Sequence, residues 1–208
     1  MAARSPDPSP EAIDRLLVIA EANGLRAVLV LNKVDLDDAA RTAQPLAALY
    51  RSIGYPVHLV SALSGAGLDE LRTELCQGTS ALVGPSGAGK SSLLNVLEPG
   101  LLLRTGGLSS RSERGRHTTV SSRLIPLSCG GTVADTPGFG DVGVWGVSAE
   151  ELLECFPELR GREDGCRFRR CSHVQEPGCA VREALVAGEV AESRYQSYLT
   201  LRSEALDG

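Results

Sequence analysis

The sequence lacks both a transmembrane segment and an excess of basic residues. No apolar run approaches the roughly 20 residues that a membrane-spanning helix needs, and no signal-peptide pattern opens the chain. We therefore expect a cytoplasmic protein that does not enter a membrane. Because 21 basic residues stand against 26 acidic ones, the formal net charge is −5, which argues against a protein that coats nucleic acid indiscriminately.

Basic residues are nonetheless concentrated in two stretches, either of which is a candidate contact with RNA. Solvated loops are the alternative, since runs of like charge commonly face water, and charge alone does not decide between the two. The first stretch contains Arg104, Arg111, Arg114, Arg116, His117 and Arg123. The second contains Arg160, Arg162, Arg167, Arg169 and Arg170.

A secretory signal, which usually accompanies disulfide-rich folds, is also lacking, although the chain has six cysteines. Three of them accompany a histidine in the spacing Cys166-x4-Cys171-x-His173-x5-Cys179. Three thiolates and one imidazole suffice for a closed, tetrahedral structural zinc site, whereas a catalytic zinc keeps one position open. Idle or buried thiols are the alternative. The remaining cysteines are expected to be small, reduced core residues: Cys76, Cys129 and Cys155.

Strand-like apolar runs alternate with amphipathic helical stretches along most of the chain. Strands are predicted at 26–31, 57–60, 80–83, 121–127 and 132–134, and helices at 11–22, 37–53, 68–76 and 90–97. This alternation is typical of an α/β fold with a parallel sheet and helices on both faces. Residues 99–119 are predicted to form a mobile loop. We expect an irregular leader at 1–10, an α/β domain at 11–155 and a helical zinc module at 156–208.

The segment GPSGAGKS, from Gly84 to Ser91, fits the phosphate-loop pattern G-x-x-x-x-G-K-[ST] between a predicted strand and helix. Lys90 would reach the β and γ phosphates of a nucleotide, and the Ser91 hydroxyl would bind Mg²⁺. The loop alone does not distinguish GTP from ATP. The predicted phosphate-binding residues are Gly84, Pro85, Ser86, Gly87, Ala88, Gly89, Lys90, Ser91 and Ser92.

A second motif, Asn32-Lys33-Val34-Asp35, follows the first predicted strand and is predicted to select guanine, with a simple helix cap as the alternative. The Asp35 carboxylate can accept hydrogen bonds from guanine N1–H and N2–H₂, a donor pair that adenine lacks. Asn32 would tie this loop to the phosphate loop, and the Lys33 stem would lie along the base. Ser61 and Ala62, at the end of the next strand, resemble a third base-contacting loop in which the Ala62 N–H faces the base oxygen.

The segment Asp135-Thr-Pro-Gly138 fits the D-x-x-G motif at the end of a predicted strand. Asp135 would hold Mg²⁺ through water, and the Gly138 N–H would sense the γ-phosphate. A threonine that meets Mg²⁺ only in the triphosphate state should precede this motif. Thr118 and Thr119 are the candidates, with Thr119 preferred.

Phe139 follows the D-x-x-G motif, where many GTPases have a glutamine that orients the attacking water. Phenylalanine cannot hydrogen-bond water, so another group must orient it. His117 is our candidate for that catalytic role, beside Lys90 as the phosphate-stabilising residue. We expect slow intrinsic turnover.

The motif order NKVD, VSA, GPSGAGKS, RHTT and DTPG puts the fourth and fifth GTPase motifs ahead of the first three. With the cysteine–histidine spacing, it resembles the RsgA (YjeQ) family of circularly permuted GTPases, over about residues 10–205. The resemblance implies a P-loop GTPase fold, GTP hydrolysis with Mg²⁺ and one structural Zn²⁺. It also implies a role in late maturation of the small ribosomal subunit, with contact to ribosomal RNA. We expect a monomer.

Members of the family normally begin with an oligonucleotide-binding β-barrel, to which no part of this sequence corresponds. Independent docking on the ribosome is therefore expected to be impaired, and a truncated, non-catalytic RNA-binding module is the alternative function. A transporter-type ATPase is less favoured. That assignment needs an LSGGQ-like signature, which Leu108-Ser-Ser-Arg-Ser does not supply, and NKVD argues against it.

One central strand of the GTPase sheet has no counterpart in the sequence. It should lie between the phosphate-loop strand and the NKVD strand, and hence immediately before the helix at 11–22. Only MAARSPDPSP is available there, and its prolines exclude a central strand. We expect either a gap between the two flanking strands or their direct pairing, and low stability of the isolated chain.

Overall fold

The computed structural model describes residues 1–3, 7–101, 103, 123–135 and 146–207. Its contacts divide the chain into two compact units. The first unit comprises residues 1–8, 29–48 and 57–141, and the second comprises 9–28, 49–56 and 142–208. This division differs from the boundaries drawn at 11–155 and 156–208, because the first helix and residues 147–155 pack with the C-terminal residues.

The described residues form six α-helices, five β-strands and two short 3-10 helices. The α-helices are α1 (Pro10–Ala22), α2 (Ala39–Ser52), α3 (Leu68–Leu75), α4 (Lys90–Leu97), α5 (Ala180–Val186) and α6 (Glu192–Asp207). The strands are β1 (Leu29–Leu31), β2 (Val57–Leu59), β3 (Thr79–Leu82), β4 (Arg123–Pro126) and β5 (Thr132–Asp135). The 3-10 helices are Leu152–Cys155 and Arg162–Gly165.

The strands of the first unit form two sheets. In one, β1 pairs in parallel with β2; in the other, the order is β3-β5-β4. β4 is antiparallel to β5, which modifies the expected all-parallel sheet. The reason is the short turn between them: it can join antiparallel neighbours, whereas a parallel pair needs a long crossover. Helices α3 and α4 supply Leu71 and Leu94 to a core that also contains Val60 and Val133.

No hydrogen bond joins β1 to β3 within the described residues, as expected for a break in the sheet. Residues 1–3 lie beside the end of β1, where Ala2 forms an isolated parallel bridge with Asn32. The Met1 amine donates to the Val30 carbonyl at 2.6 Å, and the Asn32 N–H donates to the Met1 carbonyl at 2.8 Å. Ala2 and Ala3 are buried. This N-terminal segment therefore contributes one bridge rather than a full strand.

Helix α1 has the local signals of a helix start and packs in the core of the second unit. Ser9 caps it by accepting from the Ala12 N–H at 3.3 Å, and Pro10 occupies its first turn, where a missing N–H costs nothing. The core combines Val18 of α1 with residues of the 3-10 helix region and α6: Leu152, Leu153, Phe156, Leu159, Tyr198 and Leu201.

None of the helices in the described ranges combines the length and apolar character that a bilayer crossing requires.

Candidate nucleotide site and candidate zinc centre

The phosphate-loop motif forms the connection between β3 and α4. Gly84, Gly87 and Gly89 all have positive φ values, of 149°, 80° and 89°. Gly89 is the N-cap of α4, and no side chain caps this helix end. Lys90 begins the helix, and its Nζ donates to the carbonyls of Gly84 at 2.7 Å and Pro85 at 3.1 Å. The loop therefore curls around the ammonium group.

Asn32 joins three loops of the first unit. Its Nδ2 donates to the Ala88 carbonyl of the phosphate loop at 3.0 Å, and its Oδ1 accepts from the Ala62 N–H at 3.2 Å. The residue is only 2% exposed, so these bonds satisfy an amide shielded from water. A Cβ on Gly89 would collide with Asn32 Nδ2, so glycine is needed there both for its left-handed backbone and for this close approach.

The Ser61 hydroxyl organises the two loops that are predicted to contact the base. Ser61 is fully buried and donates to Asp35 Oδ1, while its Oγ accepts from the N–H groups of Leu63 at 3.1 Å and Ser64 at 2.9 Å. Asp35 itself is exposed. One hydroxyl thus fixes both the carboxylate and the backbone turn after β2, a role beyond the base contact expected for Ser61.

Asp135 is the last residue of β5 and lies opposite Leu82 of β3 in the strand register. Leu82 is two residues before Gly84, the first residue of the phosphate loop. Strand pairing therefore brings the backbone of Asp135, the first residue of the D-x-x-G motif, next to the end of the strand that leads into the phosphate loop. The other predicted switch and catalytic residues lie outside the described residues: Thr118, Thr119, His117, Gly138 and Phe139. The Asp135 side chain also lies outside them.

The four predicted zinc ligands come together in the second unit. The candidate ligand atoms of Cys166, Cys171, His173 and Cys179 all lie within 4.8 Å of one another. His173 presents Nδ1, which is 3.6 Å from Cys166 Sγ and 3.4 Å from Cys179 Sγ. Zn–S bonds of about 2.3 Å in a tetrahedron imply ligand separations of roughly 3.8 Å. The chemistry and spacing of the four side chains fit a closed, four-ligand zinc site.

Buried tyrosines hold the loop that carries the histidine. Tyr195 donates to the His173 carbonyl at 2.6 Å, and Tyr198 donates to the Ser172 carbonyl at 3.2 Å. His173 has a φ of 62°, so this turn is held in a conformation that L-residues rarely adopt. Burial lowers the pKa of His173, which favours the neutral imidazole that binds metals. Burial also raises the pKa of Cys171.

The two tyrosines were not predicted from sequence as part of the site. They lie three residues apart on α6 and therefore share one face of the helix. Their spacing in the sequence does not indicate that this face contacts the loop that carries His173.

Two cysteines were predicted incorrectly. Cys76 and Cys129, expected to be reduced core residues, form a disulfide across a sequence separation of 53 residues. Their proximity arises from the packing of the β4–β5 turn against the end of α3, which neither local sequence reveals. Cys155 is buried and free, as expected.

The fold and the order of its loops define a circularly permuted P-loop GTPase, with a cysteine–histidine cluster in a separate unit. The family model that matches residues 1–145 is that of the RsgA GTPase. The chain is 53% identical over 205 residues to the small ribosomal subunit biogenesis GTPase RsgA of Gemmatimonas aurantiaca, and 45% identical over 205 residues to that of Moorella thermoacetica. It covers 66% and 70% of those proteins, which in turn match 99% of this chain.

Two solved structures agree with this match. YjeQ from Thermotoga maritima superposes with a TM-score of 0.84 at 38% identity, covering all of this chain and 70% of that one. YloQ, described as a circularly permuted GTPase, gives a TM-score of 0.79 at 35% identity, covering all of this chain and 66% of that one. The chain belongs to the RsgA GTPase family. This membership decides against the transporter-type ATPase.

Proposed function

We propose that this chain binds and hydrolyses GTP and acts in the maturation of the small ribosomal subunit. The curated relatives carry that role in their names. The observation that carries the nucleotide assignment is the Asn32 side chain, which joins the NKVD loop, the phosphate loop and the Ser61–Ala62 loop. A site built this way can read a base and its phosphates together, as a guanine-nucleotide switch requires.

Asp35 is the proposed specificity residue. Ser61 holds one carboxylate oxygen of Asp35 by a hydrogen bond, which orients the group to accept from guanine N1–H and N2–H₂. An adenine would leave this carboxylate without its donor pair, at a cost of about 1–3 kcal/mol or more. The Ala62 N–H already donates to Asn32 Oδ1, so a contact with the base oxygen must share that donor.

Lys90 and the N-terminus of α4 are the proposed phosphate contacts. The Lys90 ammonium would exchange the carbonyls of Gly84 and Pro85 for phosphate oxygens, and the uncapped first turn of the helix offers N–H donors. Ser91 and Asp135 are the proposed Mg²⁺ residues. The bound ion would neutralise charge on the β and γ phosphates. Thr119 or Thr118, Gly138 and His117 remain the proposed switch and catalytic residues.

Nucleotide binding tests this proposal. Binding to the unaltered chain should favour GTP over ATP by at least about a hundredfold, which corresponds to roughly 2.7 kcal/mol. Asp35→Asn should shift the preference toward xanthosine nucleotides, because one acceptor becomes a donor. Lys90→Ala should abolish hydrolysis. Equal affinity for ATP and GTP, or normal turnover by Lys90→Ala, would refute the assignment.

The zinc module is proposed to bind one structural Zn²⁺ per chain through Cys166, Cys171, His173 and Cys179. Bound zinc would fix the loop between two distant cysteines and leave no position open for catalysis. Metal analysis of reduced protein should find one zinc per chain. Cys166→Ser should lower both zinc content and the melting temperature, whereas Cys155→Ser, a change at a buried cysteine outside the cluster, should retain full zinc content.

The surface of the zinc module is the proposed contact with ribosomal RNA. Residues 166–175 contain three arginines and no acidic residue. Arg167, Arg169 and Arg170 are exposed, and none pairs with a carboxylate of the described residues. Arg160 and Arg162, by contrast, pair with Glu21 at 3.0 Å and Glu189 at 2.8 Å. The second basic stretch thus has a structural part, Arg160 and Arg162, whose charges pair with carboxylates. Its other three arginines form an available part, which is exposed and could contact RNA.

Phe168 lies within this available part and is 45% exposed, with the Arg167 guanidinium 5.6 Å from the centre of its ring. Arginines supply phosphate contacts, and an exposed aromatic ring supplies a stacking surface for an unpaired base. We therefore assign to this surface a segment of RNA with at least one unstacked base.

Binding to small ribosomal subunits at several salt concentrations tests the assignment. Replacing Arg167, Arg169 and Arg170 by alanine should weaken binding and flatten its salt dependence, by about 0.7–0.9 in the log–log slope for each phosphate that the protein no longer neutralises. Phe168→Ala should weaken binding with an unchanged slope. Arg41→Ala, at an exposed arginine of the first unit, is the matched control. Unchanged affinity in both zinc-module variants would exclude this surface.

Hydrolysis measured with and without small ribosomal subunits separates the enzyme from a non-catalytic RNA-binding module. Stimulation by the subunit supports the enzyme. Nucleotide-dependent binding to the subunit without any hydrolysis supports the alternative.

A further inference from the structure

The Cys76–Cys129 disulfide joins two elements of the first unit that strand pairing does not connect directly. Cys76 follows the last residue of α3, and Cys129 lies in the turn between β4 and β5. Cys129 is exposed and Cys76 is half-buried, so a small thiol or disulfide in solvent can reach the pair.

Non-covalent contacts beside this bond hold the β4–β5 turn against the segment that follows α3 and against Glu98, which follows α4. The Ser128 N–H donates to a Glu98 carboxylate oxygen at 2.7 Å, and the Thr132 N–H donates to the Gly78 carbonyl at 2.9 Å. A Cβ on Gly131 would collide with the Leu75 carbonyl, so the two segments are in close contact. These contacts would keep the two thiols adjacent in the reduced chain, which favours their oxidation to a disulfide within one molecule.

The other cysteines have different surroundings. Cys166, Cys171 and Cys179 form the candidate zinc cluster with His173. Cys155 is buried, and burial raises the pKa of its thiol, which suppresses the reactive thiolate. Among the cysteines, all of which fall in the described ranges, Cys76 and Cys129 are therefore the pair accessible to exchange.

We propose that Cys76 and Cys129 form a reversible thiol–disulfide exchange site whose partner is a disulfide of the R–S–S–R class, such as oxidised glutathione. One protein thiolate attacks the disulfide and releases R–S⁻, giving a mixed disulfide. The second protein thiolate attacks the protein sulfur of that mixed disulfide and releases another R–S⁻. Two protein thiols are oxidised, one R–S–S–R is reduced to two R–SH, and the two protons go to the leaving thiolates.

The bond lies away from the proposed nucleotide contacts along the strands. It connects the segments just before β3 and β5. Gly84 comes after the far end of β3, and Asp135 is the last residue of β5. Each is at least four residues further along its strand, which corresponds to on the order of 13 Å. Its oxidation state should therefore change the stability of the first unit and leave nucleotide affinity unchanged. The statement about nucleotide rests on the proposed function; the exchange reaction does not.

The experiment equilibrates the zinc-loaded full chain in glutathione buffers of graded redox ratio, traps free thiols by alkylation and maps the peptides by mass spectrometry. The Cys76–Cys129 peptide should interconvert between linked and alkylated forms as the ratio changes. Reduction should lower the melting temperature by on the order of 10 °C, because the bond closes a loop of more than 50 residues. The dissociation constant of GTP should change less than about twofold, well under the tenfold that 1.4 kcal/mol produces.

Serine variants distinguish this pair from the remaining cysteines. Cys76→Ser and Cys129→Ser should each melt at the temperature of the reduced chain in every buffer, and Cys155→Ser should keep the full redox-dependent shift. A Cys76–Cys129 peptide that stays alkylated in the most oxidising buffer would overturn the proposal, as would a shift that persists in Cys76→Ser. Loss of GTP binding in both redox states would count against the proposed function and leave the exchange site standing.

Discussion

Replacing Arg194 by methionine should strongly destabilise the second unit. The side chain of Arg194 is fully buried on α6. Its guanidinium donates to Asp14 Oδ1 at 2.6 Å and to the two Glu158 oxygens at 2.5 and 3.0 Å. It also lies 4.6 Å from the centre of the Phe156 ring, and Tyr50 donates to the same Asp14 oxygen. One cation therefore pairs with the fully buried Asp14 and with Glu158, whose side chain is 10% exposed.

The magnitude follows from what the substitution leaves behind. Methionine approximates the length of the arginine stem but provides no charge, so the buried Asp14 and the largely buried Glu158 side chain would both lose their cation. Breaking a buried ion pair in this way costs about 3–5 kcal/mol. For a chain of this size, that loss lowers the melting temperature by roughly 10 °C. Most of the effect is the cost of unpaired carboxylates, so Arg194→Met combined with Asp14→Asn should recover part of it.

Arg15→Met is the matched control, because Arg15 also joins α1 to α6. Its partner Glu204 is 45% exposed at the side chain, and exposed pairs contribute about 0–1 kcal/mol. Thermal and urea unfolding of both variants, with equal zinc content, measures the difference. If Arg194→Met and Arg15→Met are destabilised by the same amount, the buried network contributes no more than a surface pair and the reasoning is wrong.

The pH dependence of the same variant gives an independent check. Burial raises the pKa of Asp14, and Arg194 opposes that rise. A carboxyl whose folded-state pKa is raised binds its proton more tightly when folded, so falling pH favours the folded state. Without Arg194 the rise is unopposed. The stability deficit of Arg194→Met relative to the unaltered chain should therefore be smaller near pH 5.5 than near pH 7.5, whereas a deficit independent of pH would contradict this account.

Three further changes test the two candidate sites. Gly89→Ala should abolish GTP binding, because its Cβ would displace the Asn32 amide, whereas Gly130→Ala, at a left-handed position with open space, should leave GTP affinity unchanged when both are measured by titration. Tyr195→Phe should weaken zinc binding about tenfold in a chelator competition, because the His173 carbonyl loses its donor. Removal of zinc by a chelator should lower the melting temperature and leave GTP affinity nearly unchanged.

Local sequence patterns predicted the bounds of α1 to α4 to within two residues. The helix predicted at 90–97 has the same limits in the structure. Gly89, immediately before Lys90, marks its start, and the apolar periodicity that ends at Leu97 marks its end. The strand predicted at 26–31 is shorter, at Leu29–Leu31. A continuous apolar run does not reveal how many of its residues pair with a neighbouring strand, and only three residues of β1 pair with β2. Strand length depends on the partner, which the local sequence does not contain.

Contacts between distant residues were the ones that sequence reasoning missed. The Cys76–Cys129 bond spans 53 residues, and Arg194 meets Asp14 across 180 residues. Each residue looks ordinary in its own segment: Asp14 occupies an amphipathic helix, and Arg194 lies in the first turn of a polar one. The Asn32 contact with Ala88 was expected because the spacing of two motifs, rather than a residue alone, indicated that their loops meet.

The side chain of Asn32 connects the two sheets of the first unit as well as the loops of the candidate site. β1 and β2 form one sheet, whereas Ala88 follows β3 in the other, and no backbone hydrogen bond joins β1 to β3 within the described strands. Permutation separates these loops by 56 residues, so the contact contributes to tertiary structure and to the proposed nucleotide site at once. A guanine nucleotide bound by both loops would add contacts across the same junction. Nucleotide binding and association of the two sheets should therefore be thermodynamically linked, each favouring the other.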